Sequence, residues 1–227
     1  MDTTKVAIVL GTSSGLGLAI ASSLLERGFV VFGGSRNESP IEHENFIDLE
    51  LDITQESLIK NFITEVSSES EVVDLLVNAS GICEMNSFAD TSILEMRMHI
   101  ETNVLGYFSF LKHFEDLIIS EETHIINLFS ISAKNTFPNT TAYSASEFAR
   151  KGFLGVLEKE WKKYLIRITN FYVGAVDTPL WDDYPDVETD KMLTTEDFIY
   201  MFDCIVDAPE SIQFPDVTFL HRDGFID

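Results

Sequence analysis

Residues 11–17 have the sequence Gly11-Thr12-Ser13-Ser14-Gly15-Leu16-Gly17 and join an apolar run at 6–10 to a stretch with helical periodicity at 16–27. The three glycines allow the backbone to turn tightly and to approach a pyrophosphate, and the following helix start supplies free N–H groups and a partial positive charge. Glycine also serves ordinary tight turns, so the pattern alone is weak. Its place between a predicted strand and a predicted helix favours the phosphate loop of a dinucleotide site.

Short apolar runs rich in β-branched residues alternate with longer helix-like stretches along the rest of the chain. Continuous apolar strands are typical of a parallel sheet that is buried on both faces. Strands are predicted at 6–10, 30–32, 46–49, 75–77, 125–128, 166–171 and 217–220. Helices are predicted at 16–27 (with Gly28 as its stop), 91–119, 143–164 and 195–206, the last capped by Thr194 or Thr195. This order predicts one α/β domain over 1–227, a doubly wound parallel sheet of about seven strands flanked by helices.

The composition excludes several classes of partner. The 227-residue chain has 38 acidic and 15 basic residues and a formal net charge of −23, which argues against nucleic acid and anionic membranes. We expect no transmembrane helix, because no run of about 18 apolar residues occurs, and no signal peptide. The five scattered histidines lack metal-ligand spacing, so no metal site is expected. Two cysteines give no disulfide framework, and a cytoplasmic location is therefore predicted.

Four further motifs follow the glycine loop in a fixed order. They are Asn78-Ala79-Ser80-Gly81 after the fourth predicted strand, Asn103 within a predicted helix, Ser130 thirteen residues before Tyr143, and Val173-Gly174-Ala175-Val176-Asp177-Thr178. Together with the Gly-x-x-x-Gly-x-Gly spacing at 11–17, they make the chain resemble the short-chain dehydrogenase/reductase family over roughly residues 5–180. The resemblance implies a Rossmann-type fold, a nicotinamide nucleotide and hydride transfer to or from a carbonyl or alcohol carbon.

The resemblance implies a catalytic group with one altered member. Tyr143 would exchange a proton with the substrate oxygen, Ser130 would hydrogen-bond that oxygen, and Asn103 would anchor a water. The family carries a lysine four residues after the tyrosine, which hydrogen-bonds the nicotinamide ribose and lowers the pKa of the tyrosine. Glu147 replaces it here, and a carboxylate there would raise the pKa of Tyr143. Alcohol oxidation, which needs a phenolate, would suffer more than carbonyl reduction.

Three cations are candidates to offset the charge of Glu147. Arg150 and Lys151 follow it by three and four residues, a spacing that suits ion pairing on a helix. Lys134, soon after Ser130, is a further candidate.

The residues after the second predicted strand favour NADP(H) over NAD(H). Ser35 stands where an acid would accept hydrogen bonds from the ribose hydroxyls, and Arg36 could clamp a 2′-phosphate. The alternative is that Arg36 is an ordinary solvated residue. Asp52 matches the position that contacts the adenine in the family, and its alternative role is to cap a helix. The candidate cofactor-binding residues are Gly11, Ser13, Ser14, Gly15, Leu16, Gly17, Arg36, Asp52, Ile53, Asn78, Ala79, Gly81 and Thr178.

The sequence thus predicts an NADP(H)-dependent oxidoreductase that reduces a small carbonyl substrate with Tyr143 as proton donor. The alternative is a catalytically impaired nucleotide-binding protein with a regulatory or binding role. Residues 179–216 are expected to form a lid over the substrate. The resemblance also implies a homodimer or homotetramer, with the helices at 91–119 and 143–164 at the interface.

Overall fold

Seven parallel strands form one sheet in the computed structural model, which describes residues 4–117 and 123–225. They are β1 (Val6–Leu10), β2 (Val30–Ser35), β3 (Phe46–Glu50), β4 (Leu75–Asn78), β5 (His124–Ser130), β6 (Arg167–Val173) and β7 (Asp216–Phe219), in the spatial order β3-β2-β1-β4-β5-β6-β7. All neighbouring strands pair in parallel. The predicted doubly wound sheet of about seven strands is confirmed.

Helices cover both faces of this sheet. They are α1 (Gly15–Glu26), α2 (Glu56–Glu69), α3 (Ile93–His99), α4 (Tyr107–Phe114), α5 (Thr141–Trp161) and α6 (Thr195–Val206). The apolar sides of α1 and α6 share one core, and those of α2, α4 and α5 share the core on the opposite face. Thr194 caps α6 in a capping box with Asp197, which confirms the predicted start of that helix.

The side chains of β1 divide between these two cores. Ile8 and Leu10 belong to one core and Ala7 and Val9 to the other, and all four are fully buried. Successive residues of a strand point to opposite faces, so a strand covered on both sides must be apolar throughout. Each large aliphatic side chain buried in this way contributes about 1.5–3 kcal/mol. This burial explains the uninterrupted apolar runs of the sequence.

Two helix predictions need correction, and one helix was not predicted. The predicted helix at 91–119 begins at Ile93 and is divided by a π-helical segment, Ile100–Gly106, between α3 and α4; residues 118 and 119 lie outside the described residues. A Cβ on Gly106 would lie 2.8 Å from the carbonyl oxygen of Ile53, so the wider π-helical turn occurs where the helix passes close to neighbouring backbone. The helix predicted at 143–164 begins earlier, at Thr141, and ends at Trp161. The sequence did not predict α2, which buries only Ile59, Phe62 and Val66.

The chain reverses its direction of travel across the sheet at β1. β2 pairs with one side of β1 and β4 with the other, and Leu10 is level with both Gly34 and Asn78. In an open α/β sheet the loops leaving such a point separate and create a crevice at the carboxyl ends of the strands. The topology therefore places a ligand site where the glycine loop follows β1.

Two glycines of the loop are required by close backbone contacts. Gly11 has φ +94°, and a Cβ on it would lie 2.9 Å from the carbonyl oxygen of Ala79 after β4. A Cβ on Gly17, in the first turn of α1, would overlap the carbonyl oxygen of Gly11. The loop is thus held tightly between β4 and α1.

We predict that Gly17→Ala lowers the free energy of unfolding by about 1–3 kcal/mol, because the added methyl forces α1 away from Gly11. Ser22→Ala is the matched control, since Ser22 is an exposed residue of the same helix and alanine favours helix formation. Urea titration of both variants measures the difference. Equal stability of the two variants would show that the contact between Gly17 and Gly11 imposes no constraint.

Candidate active site

A cavity of about 1490 Å³ lies at the carboxyl ends of the strands. It collects residues from the loops that follow each of the seven strands. Of the predicted site residues, those that line it are Gly11, Ser13, Ser14, Gly15, Leu16, Gly17, Arg36, Asp52, Ile53, Ala79, Gly81, Asn103, Ser130, Tyr143, Glu147 and Thr178. The structure therefore brings together residues that are more than 160 positions apart in the chain.

Asn78 is the exception among the predicted site residues. It is fully buried at the end of β4, and its Oδ1 accepts hydrogen bonds from the backbone N–H of Ser80 at 3.1 Å and from its hydroxyl at 2.7 Å. Asn78 does not line the cavity, and its role in cofactor binding stays a prediction. Its hydrogen bonds with Ser80 instead hold the loop that follows β4.

The N-terminus of α1 fits a pyrophosphate. The first N–H groups of a helix have no partner within the helix, and the Ser14 side chain does not cap them. No acidic residue occurs in this first turn. Thr178 lies beside it, since a Cβ on Gly15 would be 3.7 Å from the Thr178 Cβ. A cradle of glycine backbone and free N–H groups at the positive end of a helix is suited to an anion.

Asp52 and Arg36 border the cavity beyond this cradle. The Asp52 carboxylate accepts hydrogen bonds from Thr54 N at 2.9 Å, Thr54 Oγ1 at 2.7 Å and Gln55 Nε2 at 3.0 Å. These bonds go to Thr54 and Gln55, which precede α2, and the N-cap residue of α2 is Gln55, so Asp52 holds the turn before the helix and also lines the cavity. Burial raises the pKa of Asp52, but these hydrogen bonds and the charge of Arg36 outweigh burial and hold the pKa below its usual value. Arg36 is exposed at the cavity wall, next to the end of β2.

Ser130 and Tyr143 come from different elements and meet in the cavity. Ser130 is the last residue of β5, and its hydroxyl accepts a hydrogen bond from the Ser132 N–H at 3.0 Å. Tyr143 lies in the first turn of α5, is partly buried, and lies close enough to the Ser130 side chain for that side chain to affect its pKa. The edge of the His99 ring packs on Tyr143, with 6.2 Å between ring centroids. The pair has the arrangement needed to bind and protonate one oxygen atom.

The surroundings of Tyr143 keep its hydroxyl protonated. Burial raises the pKa of Tyr143 well above its usual value, and the Glu147 carboxylate raises it further. The Ser130 side chain and the charge of Arg150 lower the pKa but do not reverse the direction. The sign agrees with the expectation from Glu147, and desolvation contributes more than that residue does.

Asn103 fastens one wall of the cavity. Its Oδ1 accepts the Ile82 N–H at 2.8 Å, and its Nδ2 donates to the Ile82 carbonyl at 2.9 Å and to Ser146 Oγ at 3.0 Å. Since Ser146 lies in α5, one side chain joins the π-helical segment, the loop after β4 and the helix that carries Tyr143. Both Nδ2 hydrogens of Asn103 are used in this way, whereas Oδ1 keeps a second lone pair, so the role in anchoring a water stays a prediction.

Two other residues hold the loop at 82–86, and the sequence motifs did not indicate them. His99 Nε2 accepts the Glu84 N–H at 3.1 Å, while His99 Nδ1 contacts the Glu95 carbonyl at 2.9 Å and therefore carries the ring hydrogen. The Tyr184 hydroxyl accepts the Met85 N–H at 3.0 Å. His99 lies one helical turn before Asn103, and this spacing was the available signal that both reach the same loop.

Glu147 turns toward β5. Its Oε2 accepts the Ser130 backbone N–H at 2.8 Å, and its Oε1 lies 2.7 Å from Arg150 Nη2. The same nitrogen of Arg150 donates to the Leu128 carbonyl at 2.6 Å. Burial raises the pKa of Glu147, whereas the Arg150 guanidinium and the Ser130 N–H lower it. Glu147 thus contacts the backbone of the catalytic serine.

Of the three candidate cations, Arg150 pairs with Glu147. Lys151 instead reaches the Ala133 carbonyl at 3.3 Å, and Lys134 donates to Thr218 Oγ1 at 2.8 Å, with its ammonium 3.7 Å from the centroid of the Tyr172 ring. Both ammonium groups lie near the Tyr172 ring, where these acceptors are, so the structure pairs neither lysine with Glu147.

The region predicted as a lid, 179–216, divides into two parts. Residues between 179 and 191 border the cavity, among them Leu180, Trp181 and Tyr184. The later part forms α6, whose Phe198, Phe202 and Ile205 are buried in the core against α1. The lid prediction is therefore too long, because an amphipathic helix with a buried apolar side belongs to the scaffold.

Residues 4–117 and 123–225 also bear on a metal site and on a membrane span. No group of three or more His, Cys, Asp or Glu side chains is arranged to hold a metal ion there. None of the helices in the same ranges is both long and apolar enough to span a bilayer.

The family model of short chain dehydrogenases matches residues 5–188. The chain belongs to this family. It is 31% identical over 186 residues to a 3-amino-tetrahydro-pyrrolizinone reductase of Xenorhabdus hominickii. The matched residues cover 80% of this chain and 65% of that relative. It is 28% identical over 228 residues to an uncharacterized oxidoreductase of Staphylococcus saprophyticus, covering 94% of this chain and 96% of the relative. This short-chain dehydrogenase is thus an oxidoreductase.

Solved structures share the fold. An alcohol dehydrogenase from the archaeon Thermococcus sibiricus, complexed with 5-hydroxy-NADP, is similar with a TM-score of 0.86 and 21% identity over 97% of both chains. A 4-hydroxyisoleucine dehydrogenase complexed with NADH is similar with a TM-score of 0.82 and 21% identity, over 96% of this chain and 98% of the other. These identities support the fold, and the nucleotide of each neighbour is a property of that neighbour.

Proposed function

We propose that this short-chain dehydrogenase uses NADP(H) to reduce a small carbonyl substrate, with Tyr143 as proton donor. The observation that supports the proposal best is that Ser130 and Tyr143 line the same cavity as the anion cradle of α1. The cradle fits the pyrophosphate of a dinucleotide, and Arg36 at the rim suits a 2′-phosphate. The choice of NADP(H) rests on Arg36 and on the absence of an acid at Ser35.

The chain's own residues would handle the oxygen and its proton. A bound NADPH supplies a hydride to the carbonyl carbon. Ser130 donates a hydrogen bond to the carbonyl oxygen, and Tyr143 transfers its hydroxyl proton to that oxygen as the alcohol forms. In the opposite direction a phenolate is needed to remove the alcohol proton. The raised pKa of Tyr143 makes this form scarce at neutral pH, so carbonyl reduction is the direction the site supports better.

Aromatic side chains line the end of the cavity where we expect the substrate. Its wall includes two aromatic pairs, Phe137 with Phe225 at 5.2 Å between centroids and Trp181 with Tyr184 at 6.3 Å. The polar tips of the second pair are used by the protein, since Trp181 Nε1 donates to the Val176 carbonyl at 2.9 Å and the Tyr184 hydroxyl accepts from Met85. Apolar ring surface is therefore what remains for a ligand.

Charges at this end favour an uncharged substrate. Two basic residues of the cavity wall lie beside a carboxylate: Lys191 is paired with Glu188, and the His221 ring lies 3.6 Å from Asp223. We infer an uncharged, ring-bearing carbonyl compound as the substrate class. The relative from Xenorhabdus hominickii is named for a substrate of ring type, which agrees with this inference.

An exposed apolar surface on α3, α4, α5 and the segment between them supports a homodimer. Its residues are Ile93, Leu94, Met98, Leu105, Phe108, Phe148 and Val156, each more than a third exposed. An apolar surface of this kind is typical of a contact between subunits. A homodimer or homotetramer through these helices and a cytoplasmic location both stay predictions.

For the cofactor, we predict that Arg36→Ala raises the Kd of NADPH about tenfold, because a charge-assisted hydrogen bond to phosphate is lost. The Kd of NADH should change by less than about twofold, since NADH has no 2′-phosphate. Isothermal titration calorimetry measures both. Lys159→Ala removes an equal charge from the far end of α5 and is the control. An equal loss for both nucleotides, or none, would assign Arg36 to the solvated surface.

For the chemistry, we predict that Tyr143→Phe lowers kcat for NADPH-dependent ketone reduction by a factor of at least about 100, with an unchanged Kd for NADPH. The matched control is Tyr200→Phe, since Tyr200 is 70% exposed on α6. The assay compares an uncharged bicyclic ketone such as α-tetralone with pyruvate, and the ketone should have the higher kcat/KM. Full turnover by Tyr143→Phe would remove Tyr143 from the mechanism. NADPH binding with no turnover of any carbonyl would favour the impaired nucleotide-binding protein, and a preference for pyruvate would contradict the substrate class.

For the pH dependence, the groups that act on the Tyr143 hydroxyl are Glu147, Cys83, Ser130 and Arg150. Burial raises the pKa of Cys83 to about 12, so its thiol stays neutral over the working range. Because the pKa of Tyr143 is also raised, the phenol persists, and kcat for ketone reduction should not fall between about pH 6 and pH 9. Alcohol oxidation should rise about tenfold per pH unit over the same range as the phenolate fraction grows. Stopped-flow rates in both directions test this, and a fall of ketone reduction near pH 7 would show that the pKa of Tyr143 is lowered.

A further inference from the structure

Glu147 and Arg150 form a buried bridge between α5 and the end of β5. The carboxylate accepts the Ser130 N–H, and the guanidinium donates to the Leu128 carbonyl and lies 4.5 Å from the centroid of the Phe129 ring. The bridge therefore contacts three consecutive residues of β5. The side chains of Glu147 and Arg150 are 2% and 4% exposed.

The contact with Ser130 requires an acceptor at position 147. A lysine has three donor hydrogens and no acceptor, so it could not bind a backbone N–H. Both oxygens of Glu147 accept from N–H donors, one from Ser130 and one from Arg150, which is the pattern of an ionised carboxylate. Buried charges persist when they are paired and hydrogen-bonded, and Arg150 supplies the matching charge. The Glu and the Arg are therefore one unit, in which neither residue is stable without the other.

The bridge joins the two elements that carry the catalytic pair. Tyr143, Glu147 and Arg150 are spaced by four and three residues and so lie on one face of α5. Ser130 is the last residue of β5, and the Glu147 carboxylate accepts a hydrogen bond from its backbone N–H. Any movement of the end of β5 away from α5 would stretch the bridge and change the distance between Ser130 and Tyr143.

We propose that Glu147 and Arg150 are positioning residues, a net-neutral clamp that sets the distance between the Ser130 and Tyr143 hydroxyls. The kinetic consequence rests on the proposed carbonyl reduction, whereas the structural consequence, a clamped Ser130 N–H, does not. Glu147→Lys places the residue of the family pattern at position 147, but we do not expect it to raise activity. It places a second cation beside Arg150 and leaves the Ser130 N–H without its acceptor, so it should lower kcat or thermal stability.

The test compares two double variants that differ in one functional group. Glu147→Gln/Arg150→Met keeps an acceptor for the Ser130 N–H, and Glu147→Met/Arg150→Met has none. Both remove the ion pair, so the charges near Tyr143 are matched, and replacing a buried pair by apolar side chains of similar size is tolerated in proteins. We expect kcat for α-tetralone reduction to be about tenfold lower or more in the double Met variant than in the Gln variant. The Kd of NADPH should agree within about twofold, since the clamp acts on Ser130.

Hydrogen–deuterium exchange of a peptide covering residues 128–132 gives a readout independent of turnover. The Ser130 N–H should exchange faster in the double Met variant than in the Gln variant. Equal exchange in the two variants, or equal kcat despite different exchange, overturns the positioning role. If the natural protein reduces no carbonyl, the proposed function fails, and the exchange comparison still decides the clamp. If either double variant does not fold, Glu147→Gln and Glu147→Met with Arg150 retained give the same comparison.

Discussion

The burial of β1 on both faces is the constraint from which the site follows. Ala7 and Val9 need cover on one side and Ile8 and Leu10 on the other, so helices must pass on both sides of the sheet. The chain can satisfy this only by leaving β1 toward β2 and returning later to β4 on its opposite edge. The loops at the carboxyl ends then diverge, and the crevice between them becomes the cavity. Glycines in the first loop let α1 approach this crevice with its positive end.

Within that crevice, the ion pair of Glu147 and Arg150 lies where the family resemblance implies a lone lysine. A lone lysine near Tyr143 would favour the phenolate, whereas a paired carboxylate and guanidinium largely cancel, and desolvation then dominates the pKa of Tyr143. The carboxylate at position 147 also accepts where a lysine would donate, so its partner is the Ser130 N–H rather than a ligand hydroxyl. In the proposed mechanism, no lysine lowers the pKa of Tyr143, and the pair of Glu147 and Arg150 fixes the position of Ser130.

The sequence predicted all seven strands and the glycine loop, and all of its candidate site residues except Asn78 line the cavity, because periodicity and turn chemistry are local properties. It did not predict α2, whose mostly polar sequence hides the buried stripe of Ile59, Phe62 and Val66, nor the π-helical turn around Asn103, which depends on contacts with Ile82 and Ile53. The choice of Arg150 over Lys151 as the partner of Glu147 could not be made from spacing, since i+3 and i+4 are both allowed on a helix. It was decided by which side chain reaches β5.

The same contacts bear on whether the protein is an enzyme or only binds a nucleotide. Nucleotide binding needs the cradle of α1 and the rim with Arg36, and it makes no demand on the distance between Ser130 and Tyr143. Burying an ion pair costs several kcal/mol in desolvation, and hydrophobic side chains of similar size would often be as stable or more stable. Stability is therefore a poor reason to keep Glu147 and Arg150 at the end of β5. Control of the position of Ser130 is a better one, and it has value only if the Ser130 hydroxyl acts on a substrate.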